Sequence, residues 1–240
     1  MIKITSLTVD DVRFPTSKDL TGSDAIHTDP DYSATYVTIH TSDNNFKGYG
    51  IAFTLGKGND IVASCIKHYL PLIEGLTLDE VEKNIGSLWF KFSDHSQLRW
   101  LGPEKGVVHL ALAAVFNALW DMIAKKNKKP LWQFVVESKP ETIMNWLTFK
   151  YIEDVMSKDE AYKILCDSQE FIKDRKNLVL EEGYPSYTTA AGWLGYSDEK
   201  IVSLLNEYMS RGWSHFKIKV GLDLEADVKR LELIRNIIGK

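Results

Sequence analysis

The sequence predicts an α+β domain followed by the first units of a parallel β/α barrel that the chain does not close. Three observations carry this reading. Before residue 55, β-branched and aromatic residues alternate with polar ones in three segments; helical periodicities follow; from about residue 140 strand-like and helix-like segments alternate. The expected division is an N-terminal α+β domain over residues 1–140 and the opening β/α units over 141–240.

The three strands are expected at Ile2 to Phe14, Thr35 to Thr41 and Lys47 to Thr54, forming an antiparallel sheet with Ser42-Asp43-Asn44-Asn45 as a hairpin loop. Between the first two lies Pro15 to Ser33, a polar stretch with Gly22, Pro30 and four aspartates. A connection of that length is uncommon without a job, which makes it a candidate substrate lid. Helices are expected at Ile61 to Ile73, Leu78 to Phe92 and Val107 to Lys126. The run Lys125-Lys126-Asn127-Lys128-Lys129 places cations at a helix C-terminus and reads as a cap and solvated face, and Pro130 opens a short helix.

In the second region, Thr142 to Ile152, Ser186 to Leu194 and His215 to Val220 read as strands. Lys158 to Gly183, Asp198 to Arg211 and Leu224 to Ile238 read as helices. Two or three β/α units are too few to close a barrel of eight strands.

Composition narrows the function classes. With 44% hydrophobic and 26% charged residues the chain is of ordinary globular type. Its 29 basic and 33 acidic residues are interspersed, leaving no basic face for nucleic acid. Cys65 and Cys166 lack any metal or disulfide spacing. No signal peptide is visible, and no run is seen to reach the roughly 18 apolar residues that span a membrane. A reducing cytoplasmic setting is the expectation, with no membrane partner.

The chemistry is expected at His215-Phe216-Lys217-Ile218-Lys219-Val220-Gly221. Strand periodicity puts Phe216, Ile218 and Val220 on one face and Lys217 and Lys219 on the other. On a solvated antiparallel strand a Lys-x-Lys means little. On a strand leading directly into a helix it means more, because parallel strands are covered on both faces and two lysines there must meet a polar cavity. Strand C-terminal ends also form the active sites of β/α barrels. Two ammonium groups one residue apart repel, which favours proton release from one and offers a general base.

Other candidates carry plainer readings. His27 is a loop histidine that either binds substrate or is merely solvated, and His109 and His215 read as packing or capping residues. Asp24, Asp29 and Asp31 lack the glycine and terminal glutamate of a calcium loop. Glu104-Lys105 reads as a helix N-terminal cap, and Arg99 as a possible carboxylate contact. No metal site is expected within the chain.

Two further patterns give a family resemblance. The Lys-x-Lys resembles that at the end of the second barrel strand in the mandelate-racemase-like branch of the enolase superfamily. The run from Ala113 through Trp120-Asp121 to Pro130-Leu131 is similar to that superfamily's helix at the domain junction. Longer runs resemble the L-fuconate dehydratases and their animal relatives across essentially the whole chain. They include Asp11-Val12-Arg13-Phe14-Pro15-Thr16, His27 through Ser33, Thr54-Leu55-Gly56-Lys57-Gly58, Gln97-Leu98-Arg99-Trp100, Gly102 through Leu110 and Trp193 through Asp198.

The resemblance implies an α+β capping domain and a modified (β/α)7β barrel, incomplete here. It further implies a hydro-lyase: the proton α to a carboxylate is abstracted and the β-hydroxyl eliminated, giving a 2-keto-3-deoxy sugar acid. Lys219 would be the acid/base and Lys217 a substrate contact, and Gly22, Ser23, Asp24 and Tyr32 would reach the sugar-acid hydroxyls. Mg2+ would be the cofactor, held by carboxylates beyond Lys240, so that residues 1–240 alone are expected to be inactive. A small sugar acid is the expected partner, with homo-oligomers a family habit. The alternatives are another enolase-superfamily enzyme, such as a racemase or a different aldonate dehydratase, and a non-catalytic truncated product.

Overall fold

Strand β1 (Ile4–Val12) pairs antiparallel with β2 (Ser33–Thr41), Val9 opposite Val37, with an irregularity between Ile4 and Ser6. Strand β3 (Gly48–Thr54) completes a sheet of order β1-β2-β3. The computed structural model of the protein describes residues 1–102, 104 and 106–239 and contains two compact units. One comprises Met1–Val12, Ala34–Phe53 and Gly58–Gly183; the other comprises Arg13–Ser33, Thr54–Lys57 and Tyr184–Lys240.

In the first unit, the period of two along β3 buries Gly48, Gly50 and Ala52 and leaves Tyr49, Ile51 and Phe53 outward. The glycines are required by close approach. A Cβ on Gly50 would lie 1.9 Å from the carbonyl oxygen of Ala114, and one on Gly48 2.4 Å from that of Ala118. The sheet thus rests on the small residues of α4 (Val107–Lys126). Around that contact, α1 (Asn59–Lys67), α2 (Leu70–Ile73) and α3 (Leu78–Ser93) bury Ile66, Tyr69, Ile73, Val81, Ile85 and Phe92. Thr77 and Glu80 form a reciprocal capping box that fixes where α3 starts.

By length and composition α4 also meets the criterion for crossing a membrane, with a mean hydropathy of 1.7. This corrects the expectation that no run reaches that threshold. Its residues are mostly buried inside the unit, and core helices pass the same test.

Three further expectations change. Ile61 to Ile73 is two helices, parted at His68 and Tyr69, with Pro71 in the first turn of the second, where its missing N–H costs nothing. The lysines ending α4 stand exposed at its C-terminal end as expected, and they also pair: Lys126 with Asp79 and, at 2.6 Å, with Glu82, and Lys129 with Glu137 at 2.7 Å. After α5 (Leu131–Val136), Thr142 to Ile152 is not a strand: Pro140–Met144 forms α6, entered by Pro140 with Glu141 in its first turn. Those position effects outweigh the β-branched Thr142 and Ile143. Nor does Glu104 cap α4, whose N-cap is Gly106; it accepts hydrogen bonds from Tyr151 and from Lys150, the latter at 3.4 Å. Pro103 and Lys105 lie outside the described residues. Helices α7 (Lys158–Ser168), with its Ser157/Glu160 capping box, and α8 (Ile172–Glu182) complete this unit.

In the second unit, the two expected strands are reduced to a single parallel bridge, Thr188 opposite Phe216. The backbone amides of Thr188, Lys217 and Lys219 donate to His215, Thr188 and Gly192 at 3.0, 2.9 and 2.8 Å. Odd-numbered residues of 215–219 therefore face the 188–192 segment. The amides of Phe216 and Ile218 point to the opposite edge, where no partner strand lies among the described residues. Helices α9 (Asp198–Ser210) and α10 (Leu224–Ile238), capped by Ser197 and Asp223, cover Phe216 and Ile218 with Ile201, Leu205 and Ile234.

Candidate functional site

The polar stretch before β2 is a loop tied together by its own side chains. The Thr16 hydroxyl donates to the Pro30 carbonyl at 2.8 Å and accepts from the Tyr32 amide at 2.8 Å, and Asp31 accepts from the Ser17 amide at 3.1 Å. These Ser17 contacts hold the Asp31 carboxyl below its ordinary range. Gly22 takes a φ of +94°, and a Cβ there would sit 2.5 Å from the Tyr32 ring. Only glycine permits both the left-handed turn and the close ring. The Tyr32 hydroxyl closes the contact by donating to the Gly22 carbonyl at 3.2 Å.

Ser23 is 2% exposed, and its hydroxyl is used twice: it donates to the Leu20 carbonyl at 2.7 Å and accepts from the Gly195 amide at 2.9 Å. With the Ser23 carbonyl accepting from the Leu194 amide at 3.2 Å, this residue clamps the loop onto the 193–196 turn. The Thr21 hydroxyl meets the Tyr196 hydroxyl at 2.6 Å, a second tie at the same place.

The clamp presents Asp24 to the strand end. One carboxylate oxygen, Oδ1, accepts from the amides of Ile26 and His27 at 3.0 and 2.7 Å and meets His27 Nδ1 at 3.1 Å. The other, Oδ2, lies 3.7 Å from Lys219 Nζ. The His27 amide first, then that of Ile26, hold the Asp24 carboxyl down at about 2. Lys219 Nζ also lies 5.8 Å from the centre of the Trp193 ring, which Tyr32 meets edge-on at 5.7 Å. Burial, and then the Asp24 charge, push the Tyr32 hydroxyl above its ordinary pKa.

The structure therefore brings Asp24, Tyr32 and Lys219 together around Trp193, with Gly22 and Ser23 shaping the loop that carries them. Lys217 takes another environment, its Nζ lying 5.4 Å from the Tyr187 ring centre. Between the two lysines Gly192 passes so close that a Cβ would lie 2.0 Å from the Lys217 carbonyl oxygen. Trp193 and the His27 contact to Asp24 were not singled out from sequence. The i, i+3 spacing of Asp24 and His27 is the one local signal for them.

The Asp24 geometry gives a pH dependence. Its folded pKa lies below the unfolded value of 3.8, so the stabilisation it gives the loop is complete above about pH 4 and fades as pH falls toward about 2. The Ile26 and His27 amide resonances should shift together across that window, and Asp24→Asn should remove the transition. Amides that titrate unchanged in the Asn variant would assign the transition to another group.

Among the described residues no group of three or more His, Cys, Asp or Glu side chains is arranged to hold a metal ion. The residues present do not by themselves fit a magnesium site.

No family model matches the chain. It is 48% identical over 238 residues to mitochondrial enolase superfamily member 1 of Xenopus laevis, covering 99% of this chain and 54% of that protein. It is 44% identical over 239 residues to L-galactonate dehydratase of Hypocrea jecorina, covering 99% and 53%. The crystal structure of human mitochondrial enolase superfamily member 1 superposes with a TM-score of 0.93 at 44% identity, over 99% of this chain and 54% of that one. L-talarate/galactarate dehydratase of Salmonella typhimurium LT2, liganded with Mg and L-lyxarohydroxamate, shares the fold with a TM-score of 0.67 at 16% identity, over 99% and 49%. The chain spans about half the length of the curated relatives it matches. Its architecture is that of an enolase-superfamily N-terminal capping domain with part of the barrel.

Proposed function

From its homology to enolase-superfamily proteins along its whole length, we propose that the protein serves as an acid-sugar dehydratase acting on L-fuconate or a close six-carbon aldonate. The reaction removes one water: the α-proton goes to a base, the β-hydroxyl leaves, and the resulting enol becomes a 2-keto-3-deoxy acid. The observation that carries this reading is Lys219 Nζ, 3.7 Å from the loop carboxylate of Asp24 and over the Trp193 ring. There Lys219 takes the α-proton and Asp24 and Tyr32 meet the substrate's hydroxyls, and Lys217, over the Tyr187 ring, is proposed to contact the substrate from outside that group. Gly22 and Ser23 act by holding the loop rather than by touching substrate, since the Ser23 hydroxyl is buried and engaged.

Magnesium dependence belongs to the same proposal, with ligands from outside residues 1–240. It is supported by the Mg-liganded distant neighbour and not by residues of this chain. The capping domain is proposed to span 1–140, and the first barrel units 141–240. Homo-oligomers are proposed as well, supported by the exposed sheet-face residues Tyr36, Tyr49, Ile51 and Phe53. The free thiols of Cys65 and Cys166 support a reducing, cytoplasmic compartment.

The L-galactonate dehydratase relative makes L-galactonate the second substrate to test. The protein, produced at the full length of its natural coding sequence, is assayed on an aldonate library with and without EDTA. Formation of 2-keto-3-deoxy acid from L-fuconate, lost in EDTA, is the expected result. Racemisation without dehydration, or full activity in excess EDTA, would overturn it.

A further inference from the structure

The strand end that carries Lys219 runs into α10 through a tight turn. Gly221 takes a φ of +109°, and its amide donates to the buried Asp227 carboxylate at 2.6 Å. Asp223 caps the helix, accepting from the Ala226 amide at 2.8 Å. These two contacts set the rotation of α10, and the stripe Asp227, Arg230, Ile234 at helical spacing turns inward.

Arg230 lies on that stripe with an unusual set of partners. Its two terminal nitrogens donate to main-chain carbonyls, at 2.6 Å to Trp193 and 3.3 Å to Lys219, while Nε is buried without a partner among the described residues. Burial pulls its pKa below the ordinary arginine value, and Asp227 and Asp198 oppose that shift. A half-buried guanidinium with one buried, unmet donor is a costly way to fill space, since an apolar side chain would do so without leaving a donor unmet. Its planar fork does what neither an apolar chain nor a point-charge ammonium does: it spans two acceptors at once.

The two carbonyls belong to the residues whose side chains meet above, with Lys219 Nζ over the Trp193 ring. We infer that Arg230 is a positioning residue, a brace from α10 that fixes the main chain of Lys219 and Trp193 and so sets where the lysine amine stands. The inference rests on Lys219 being the acid/base of the proposed reaction. Displacements of about 1 Å in such a constellation cost rate even when no contact to substrate is lost.

The test compares Arg230→Lys and Arg230→Gln with the unchanged protein. The first readout is acylation of lysines by an amine-reactive reagent, counted by peptide mass spectrometry as the ratio of Lys219 to Lys217. Release of Lys219 from Asp24 and Trp193 raises that ratio by roughly threefold or more in both variants, with the remaining lysines and the melting temperature little changed. The second readout, in enzyme active on an aldonate, is a fall of about tenfold or more in α-proton exchange with KM within about twofold. A folded variant with the labelling ratio of the unchanged protein would overturn the proposal. So would loss of cooperative unfolding in both variants, which would make Arg230 a general support of the helix. The labelling ratio needs no turnover. Absence of dehydration on every aldonate would therefore count against the proposed function and leave the brace separately decided.

Discussion

On the proposed reaction, replacing Lys219 by alanine is expected to abolish exchange of the substrate α-proton with solvent deuterium, whereas replacing Lys217 by alanine should leave exchange running and weaken binding. The two lysines have the same local sequence environment, and their contacts separate them. Lys219 Nζ stands 3.7 Å from Asp24 and 5.8 Å from the Trp193 ring centre, among the groups the proposed reaction would use. Lys217 Nζ stands over Tyr187, away from that constellation. Loss of a positioned general base costs about 10²–10⁴-fold in the proton-transfer step. Loss of a binding cation, with the base retained, appears in KM at roughly tenfold. The measurement is α-deuterium incorporation by NMR with L-fuconate and each variant. Exchange surviving in the Lys219 variant, or lost equally in both, would move the base to another residue.

The elements legible in the sequence are those whose signals are local. The helical spacing of apolar residues in Val107–Lys126 announces a helix from its own sequence, and the Thr77 and Ser157 capping boxes and the Ser197 and Asp223 caps, which the periodicity does not need, lie within a few residues of the helices they start. The alternation in Gly48–Thr54 announces a half-buried strand in the same way. Misreadings arise where the deciding partner is elsewhere. Thr142 and Ile143 suggest a strand until Pro140 and Glu141 are weighed as a helix start. The segments around Thr188 and Phe216 have strand composition, but among the described residues they meet only each other, through a single parallel bridge.

The site divides along the same line. Lys-x-Lys before Gly221 is visible as a pattern, and the polar loop is visible by its length. The meeting of Asp24 with Lys219 joins distant segments, and nothing near either residue encodes it. The clamping role of Ser23, a residue the resemblance places on the substrate, and the place of Arg230 are harder still, because their partners are main-chain carbonyls and amides, which any sequence supplies. Trp193 falls within a run that resembles the family, but only its place beneath Lys219 gives it a role.

Residues 1–240 purified alone, supplied with millimolar Mg2+ and L-fuconate, should form no 2-keto-3-deoxy acid above background. Abstracting a proton α to a carboxylate gathers negative charge on the carboxylate oxygens, and that charge must be met by preorganised positive groups. The expected base is one of the two lysines at the strand end, which leaves Lys217 over Tyr187 to meet the charge. The nearest fixed charge to Lys219 on the loop is Asp24, of the wrong sign. No group of carboxylates or histidines able to hold a metal occurs among the described residues. Removing even one preorganised interaction of this kind costs roughly 3–4 kcal/mol of barrier, about a hundred- to a thousandfold in rate. The strand end has a second deficit. The outward amides of Phe216 and Ile218 have no partner among the described residues, and beside them opens a mixed cleft of about 770 Å³ whose lining includes Tyr187, Lys217, Leu231, Ile234, Arg235 and Ile238. The uncovered edge leaves Phe216 and Ile218, which flank Lys217, without main-chain partners on that side among the described residues, and the Lys219 main chain is held only through Gly192 and Arg230 among those residues. The comparison is with the protein extended to the length of its curated relatives. Turnover by residues 1–240 within about a hundredfold of that longer chain would show that the chemistry resides on the loop and strand end alone.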